Sequence, residues 1–301
     1  METIMTAICQ TGPEARNAAL VTGFAAAVTV FAWASAFPAI RAGLAGFGPA
    51  ELGSLRFAIA AIPAAIYLVV RGGGFPALNE MWRFAFGGVF FVAGYTLLLN
   101  YGELTVPAGA ASFIINVSPI ITAALAMLFL GERFPAVAWL GATISFAGVG
   151  LIAMAEDGGF SLNQGALLIL GGALCAASST IVQKPLFKSH HPLTIAAWNM
   201  VIGAAAMSLL LPGAVSQAFS ASPEALISAI YLGLVPSLVA YASWAIVLSR
   251  LPASRASNIL FCIPPAATLM GFLWLGETLT AAGLIGGVMT LAGVVIVNLR
   301  R

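Results

Sequence analysis

Residues 106–130 read VPAGAASFIINVSPIITAALAMLFL, twenty-five residues without a charge, closed by Gly131-Glu132. A helix needs about 20 apolar residues to cross the hydrocarbon core of a bilayer. The second half of the stretch, Ala123–Leu130, lacks the alternation that a membrane β-strand requires. Residues 251–275, LPASRASNILFCIPPAATLMGFLWL, repeat the stretch 145 positions later. Pro252-Ala253, Ser257 and Pro264 fall on Pro107-Ala108, Ser112 and Pro119, and the repeat closes on Gly276-Glu277. The same shift lays Gly286 and Ala292-Gly293-Val294 on Gly141 and Ala147-Gly148-Val149. Upstream, a shift of 143 pairs Ser35 with Ser178, Arg41 with Lys184 and Pro49 with Pro192.

Composition agrees with a membrane chain. Of 301 residues 61% are hydrophobic and 7% charged, and the mean hydropathy is +1.03. A soluble domain carries about 25% charged residues. The net charge of +2 excludes a basic nucleic-acid surface, and the hydrophobic content excludes disorder. Cutting at Gly, Pro and charge clusters leaves ten apolar segments: 20–43, 50–70, 81–101, 106–130, 136–155, 164–186, 193–211, 225–248, 253–275 and 281–299. The expected fold is an all-α integral membrane protein of ten transmembrane helices. Residues 1–17 read as a cytoplasmic tail rather than a signal peptide, with repeats over 18–157 and 158–301.

Loop charge orients this arrangement. With the N-terminus inside, Arg16, Arg71, Arg83, Arg133, Lys184, Lys188, Arg250, Arg255, Arg300 and Arg301 all fall at cytoplasmic ends. Only Arg41 and Arg56 fall outward, beside Glu51, Glu103, Glu156, Asp157, Glu224 and Glu277. The positive-inside rule then places both termini in the cytoplasm. Because a five-helix unit ends on the opposite side from its start, the second copy runs inverted. Inverted repeats are a recurring device of secondary transporters, with the solute site near the midplane.

Trp33-Ala34-Ser35, Arg41, Pro49, Arg56-Phe57, Pro119, Leu130-Gly131-Glu132, Gly141 and Gly148 resemble the EamA-type unit of the drug/metabolite transporter superfamily. Pro264, Gly276-Glu277, Gly286 and Gly293 repeat its latter half. The resemblance implies a bacterial inner-membrane exporter of amino acids, aromatic ones especially. It departs from the pattern at Ser178-Ser179 and at Asn199, which stands where Arg56 is expected to recur.

Polar groups at membrane depth are costly and therefore informative. Asn116 and Pro119 in segment four, and Asn258 and Pro264-Pro265 in segment nine, interrupt repeat-equivalent helices. Pro119, Pro264 and Pro265 read as hinges or as static kinks. Trp33, Tyr95, Tyr241 and Trp244 are deep aromatics, suited to packing or to the walls of an apolar cavity. Asn100, Asn116, Ser178 and Asn258 are candidates to bind the amino and carboxyl ends of a zwitterion, or to bridge helices. No charged side chain occupies the centre of a segment; Arg56 comes nearest, placed to snorkel or to pair with Glu51. That absence predicts a neutral or zwitterionic solute moving down its own gradient, with no obligatory side-chain proton relay.

Other classes find little support. His190 and His191 stand alone in a loop, and Cys9, Cys175 and Cys262 are scattered, so neither a metal site nor a catalytic cluster is expected. There is no phosphate-binding loop and no cofactor motif. A drug exporter, a single-protomer channel and a membrane enzyme are the alternatives. The expected partners are a small-molecule substrate and the lipid bilayer. Gly141-xxx-Ser145 and Gly283-xxx-Gly287 serve close helix packing within a monomer or a dimer contact.

Overall fold

The computed structural model describes residues 13–72, 75–106, 108–155, 164–275 and 281–298, and those residues are helical with no strand. Six helices, Arg16–Leu44, Pro49–Val70, Leu78–Gly102, Ala111–Leu130, Gln164–Lys188 and Pro223–Arg250, are long and apolar enough to cross a bilayer. Pro192–Ala206 and Ser208–Ala218 make a seventh if the pair, bent by 50°, is one passage. Segments five, nine and ten also form helices: Ala136–Ala155; Ala253–Asn258 continued by Ile259–Cys262 and Ile263–Leu275; and Ala281–Asn298. Length and composition therefore qualify six of the ten expected passages, or seven with the bent pair counted as one. The first helix begins at Pro13, inside the expected tail, because a proline suits the first turn, where its missing N–H has no partner to lose. Residues 1–12, Gly73-Gly74, Glu156 to Gly159, Gly276-Glu277 and Arg300-Arg301 lie outside the described residues, as does the boundary between the repeats.

Hydrogen bonds gather alternate helix ends. Arg250 closes segment eight and donates to the Ala18 carbonyl at the start of segment one, at 2.9 Å. Lys184 donates to the carbonyls of Leu248 and Leu251. The Glu132 carboxylate accepts from the backbone N–H groups of Ala253 and Ser254 at 2.7 and 3.0 Å and from Ser254 Oγ at 2.6 Å. It thereby caps the first turn of segment nine, where a negative charge is favoured. At the opposite end, Gln217 Oε1 accepts from the Gly48 N–H at 2.9 Å, and Gly102 lies against Ile169. The outward faces are apolar, with Phe24, Ile62, Leu128, Leu167 and Val288 exposed, as lipid contact requires.

Segments five and ten form the most extensive helix pair among the described residues. A Cβ on Gly141 would sit 2.7 Å from the Gly293 carbonyl, and one on Gly286 would sit 2.5 Å from that of Gly148. The residue numbers rise on one helix as they fall on the other, so the pair is antiparallel. Each contact maps onto the other under the repeat shift, which is the signature of a two-fold axis between the copies. Of the small-residue faces expected from sequence, Gly141 and Ser145 meet segment ten, at Gly293 and Thr290, whereas the Cβ position of Gly287 faces Pro265 at 4.0 Å.

Interruptions recur in the same register. Segment three carries a π-helical stretch at Gly87–Gly94 and segment eight one at Gly233–Val239. Segment four breaks between Ala108–Ile115 and Ser118–Leu130, and segment nine breaks at Ile259–Cys262. Pro119 and Pro264 lack the N–H that would bond the carbonyls of Ile115 and Leu260, so the regular ladder stops there.

Candidate functional site

The interrupted helices enclose a cavity. Trp33 and Phe37 line it from segment one, Phe91 and Tyr95 from three, Ile115, Asn116, Ser118 and Pro119 from four. Ala176 and Thr180 of segment six, Tyr241 and Trp244 of eight, and Ser257, Leu260 and Ile263 of nine complete it. Both residues left without a proline N–H, Ile115 and Leu260, are therefore at its wall.

The aromatic side chains hold one another. The Trp33 ring meets Tyr241 edge-on at 5.6 Å, Trp244 at 5.7 Å and Phe91 at 6.4 Å, while Phe91 and Tyr241 are 4.8 Å apart. Such pairs favour offset and edge-to-face geometry. Their polar hydrogens are anchored on the π-helical stretches: Trp33 Nε1 donates to the Pro236 carbonyl at 3.0 Å, and the Tyr241 hydroxyl donates to the Phe91 carbonyl at 3.1 Å. Phe91 and Pro236 are 145 residues apart, the repeat shift. A π-helical turn misaligns the backbone ladder and is frequent at functional sites. Here the same turn in each repeat presents a carbonyl to an aromatic donor.

The polar wall is sparse. Asn116 ends the first half of segment four; its Nδ2 donates to the Ser112 carbonyl at 2.7 Å, while its Oδ1 has no partner among the described residues. Ser118 and Ser257 also line the cavity, with Ser257 Oγ donating to the Ala253 carbonyl at 2.8 Å, and Thr180 Oγ1 is turned back to the Ala176 carbonyl at 3.0 Å. An apolar cavity with a few placed polar groups is the usual form of a small-molecule site.

Of the residues expected from sequence, Trp33, Tyr95, Asn116, Tyr241, Trp244 and Pro119 line the cavity. Asn100, Ser178, Asn258, Pro264 and Pro265 are not in its lining. Asn100 is fully buried and donates to the Pro49 carbonyl at 2.9 Å. Asn258 Nδ2 is held by the Ser254 carbonyl at 2.6 Å, and Ser178 is half-buried in segment six. Sequence reasoning picks out Ser118 and Ser257 as polar residues of the interrupted helices without assigning them to a site, and it misses Phe91. Phe91 lies one turn before Tyr95, and Ser257 is the repeat mate of Ser112; both signals are legible once the face is known.

Charge is placed differently from the sequence expectation in two respects. Arg56 neither snorkels nor pairs with Glu51: it is 5% exposed, its Nε donates to Ser237 Oγ at 2.9 Å, and its guanidinium lies 5.0 Å from the Phe57 ring centre. Glu51 turns instead towards Gly48 and Gly213. Glu103, which the sequence places among solvated outer carboxylates, is 6% exposed and has no hydrogen-bond partner among the described residues for either oxygen. Asn199 forms a reciprocal amide pair with Gln183, at 2.7 and 3.1 Å, replacing a charge in the second copy by a neutral buried pair.

Comparison with known proteins gives a consistent result. The model of the EamA-like transporter family matches residues 21–154 and again 163–299. A probable terminal-alkyne amino-acid exporter of Streptantibioticus cattleyicolor is 35% identical, over 92% of this chain and 93% of its own. A probable amino-acid metabolite efflux pump of Salmonella typhimurium is 28% identical, over 91% and 93%. A crystal structure aligns at a TM-score of 0.75 and 18% identity, covering 92% of this chain and 96% of the other, and so shares the fold.

Proposed function

The chain belongs to the EamA-like transporter family, and from that premise we propose that it exports amino acids with aromatic or other apolar side chains. The family makes it a multi-pass membrane transporter rather than an enzyme. The observation carrying the substrate reading is the cavity itself: a cage of Trp33, Phe91, Tyr241 and Trp244 facing Asn116, Ser118 and Ser257. The cage accepts an apolar side chain, and the polar wall accepts the amino and carboxylate ends of a zwitterion. The names of the relatives point the same way.

In this reading the protein works by alternating access of two inverted five-helix repeats, in the bacterial inner membrane, as a monomer with both termini cytoplasmic. Ten passages accommodate segments five, nine and ten beside the six that qualify by length and the bent pair counted as one. Pro119 and Pro264-Pro265 act as hinges, each at a break that its repeat mate shares. Trp33, Tyr95, Asn116, Tyr241 and Trp244 touch the solute, while Asn100, Ser178 and Asn258 stand behind that surface.

The test is a resistance panel. Cells overexpressing the chain are challenged with toxic amino-acid analogues and with cationic drugs. Protection against aromatic analogues, lost in Trp33→Ala and Asn116→Ala, is expected. Protection against the drugs alone would replace amino acids with a multidrug substrate range.

A further inference from the structure

Segment three carries a polar stripe beyond the cavity. Thr96, Asn100 and Glu103 follow at spacings of four and three residues, so they share one helix face. All three are buried, and Thr96 Oγ1, Asn100 Oδ1 and both Glu103 carboxylate oxygens lack a hydrogen-bond partner among the described residues. Ser54 Oγ, on the neighbouring helix, is in the same condition. A Cβ on Gly53 would lie 3.2 Å from Thr96 and 3.5 Å from Asn100, so segment two presses directly on the stripe. The stripe starts beside Tyr95 at the cavity wall and ends at Glu103, immediately after Leu78–Gly102.

The hydroxyls of Thr96 and Ser54 can donate as well as accept, but the other unpartnered atoms, Asn100 Oδ1 and the Glu103 oxygens, cannot donate unless Glu103 is protonated. An amide oxygen and an ionised carboxylate are both acceptors, and neither can satisfy the other. One added proton resolves this, because a protonated Glu103 is a donor and Asn100 Oδ1 lies one turn away on the same face. The surroundings select a proton over a metal cation. Arg41 from segment one and Arg56 from segment two act electrostatically on Glu103, and Tyr95 is the titratable group on its own helix within reach. Two guanidinium charges disfavour a bound sodium ion but leave covalent protonation possible. From segment six, Gly165 and Ile169 face the preceding Gly102, and neither titrates.

We propose that Glu103 is the proton-binding group of the transport cycle, protonated while it lies along Asn100 and ionised when it pairs with Arg56, so that solute export is exchanged for proton entry. The carboxyl O–H bond forms with a proton from the outer solution and breaks when the cavity faces the cytoplasm. One proton enters per zwitterion exported, so the exchange carries one positive charge inward. Arg56 suits its part: it is buried, bonded to Ser237 Oγ and set against the Phe57 ring, without an anionic hydrogen-bond partner among the described residues. Burial lifts the Glu103 carboxyl to about 8, against the pull of Arg41 and Arg56, so the proton is held and released near neutral pH. This proposal rests on the export reading and replaces the uncoupled movement expected from the empty segment centres.

The full chain is reconstituted in liposomes with radiolabelled L-phenylalanine as probe. Counterflow at equal pH tests export. Accumulation under an imposed pH gradient, with the membrane potential clamped, tests coupling. One pH unit should drive about tenfold accumulation per proton. E103Q should keep counterflow and lose the gradient-driven accumulation, and E103D should restore it. Wild-type counterflow without gradient-driven accumulation, or accumulation surviving in E103Q, overturns the proposal and leaves the export reading standing. Absence of counterflow overturns the probe's substrate class instead. Infrared titration then decides the site: a protonated-carboxyl band with a midpoint near 8, missing from E103Q, sustains it, and no such band refutes it.

Discussion

Ser145 and Thr290 face each other's backbone: Ser145 Oγ donates to the Thr290 carbonyl at 2.9 Å, and Thr290 Oγ1, which donates to the Gly286 carbonyl of its own helix at 2.8 Å, lies 3.3 Å from the Ser145 carbonyl. The two residues are 145 positions apart, so each occupies in its repeat the place the other holds in the second. They therefore mark the two-fold axis. Glycines flank them on both sides, where carbonyl oxygens leave no room for a Cβ.

That crossing sets a first expectation. Gly148→Leu would drive a side chain against the Gly286 carbonyl, 2.5 Å from the Cβ position, and should abolish most folded protein in detergent. Ser145→Ala removes one interhelical hydrogen bond, worth about 0.6 kcal/mol in membrane helices. Fluorescence-detected thermal unfolding should show a small shift for the alanine variant and no cooperative transition for the leucine one.

Glu132 joins the end of segment four to the start of segment nine. Glu132→Ala deletes all three hydrogen bonds to Ala253 and Ser254. Hydrogen bonds to a charged group contribute about 1.5–3 kcal/mol each in favourable cases, enough to shift a two-state population by more than tenfold. A cysteine at Ser257, in a background with serine at Cys9, Cys175 and Cys262, should then label faster with an impermeant thiol reagent from the cytoplasmic face. Unchanged labelling would remove Glu132 as a closure of that end.

The two proline breaks should be kinetic. Pro119→Ala and Pro264→Ala restore an N–H for the carbonyls of Ile115 and Leu260 and straighten their helices. Protein level should hold while counterflow slows. Wild-type rates in both variants would make the breaks static features.

Trp33 separates ring from hydrogen bond. Trp33→Phe keeps an aromatic wall and loses the bond to the Pro236 carbonyl, about 1 kcal/mol of stability, with only a small rise in apparent KM expected. Trp33→Ala empties the cage and should raise KM further. Equal values for the two variants would show that the ring contributes nothing to solute binding.

Orientation is checked at the C-terminus. A reporter active only in the periplasm, fused after Arg301, should be silent. Activity there would invert the topology.

The apolar segments and the repeat are legible in sequence because lipid demands length without charge, and because duplication preserves Pro119 and Pro264 in register. The cavity is legible only in part. These segments are apolar on all faces, so periodicity does not say which face turns inward, and it cannot separate Phe91 at the cavity wall from Asn100 and Asn258 behind it. Buried amides can bond their own helix backbone or a neighbour's, and nothing local distinguishes this from solute binding. The π-helical stretches have no sequence signature beyond Gly87-Gly88 and Gly233, and the burial of Glu103 depends on helices distant in the chain.

An interface that is its own mate under a two-fold needs only one sequence to build it. The Gly141–Ser145–Gly148 face and the Gly286–Thr290–Gly293 face differ by a single methyl group on the axis, so either could pair with a copy of itself. A half-length ancestor inserted in the membrane in both orientations would close into a dimer by this same surface. Divergence is visible where it counts: Arg56 remains a cation in one half, and Asn199 has become half of a neutral pair in the other.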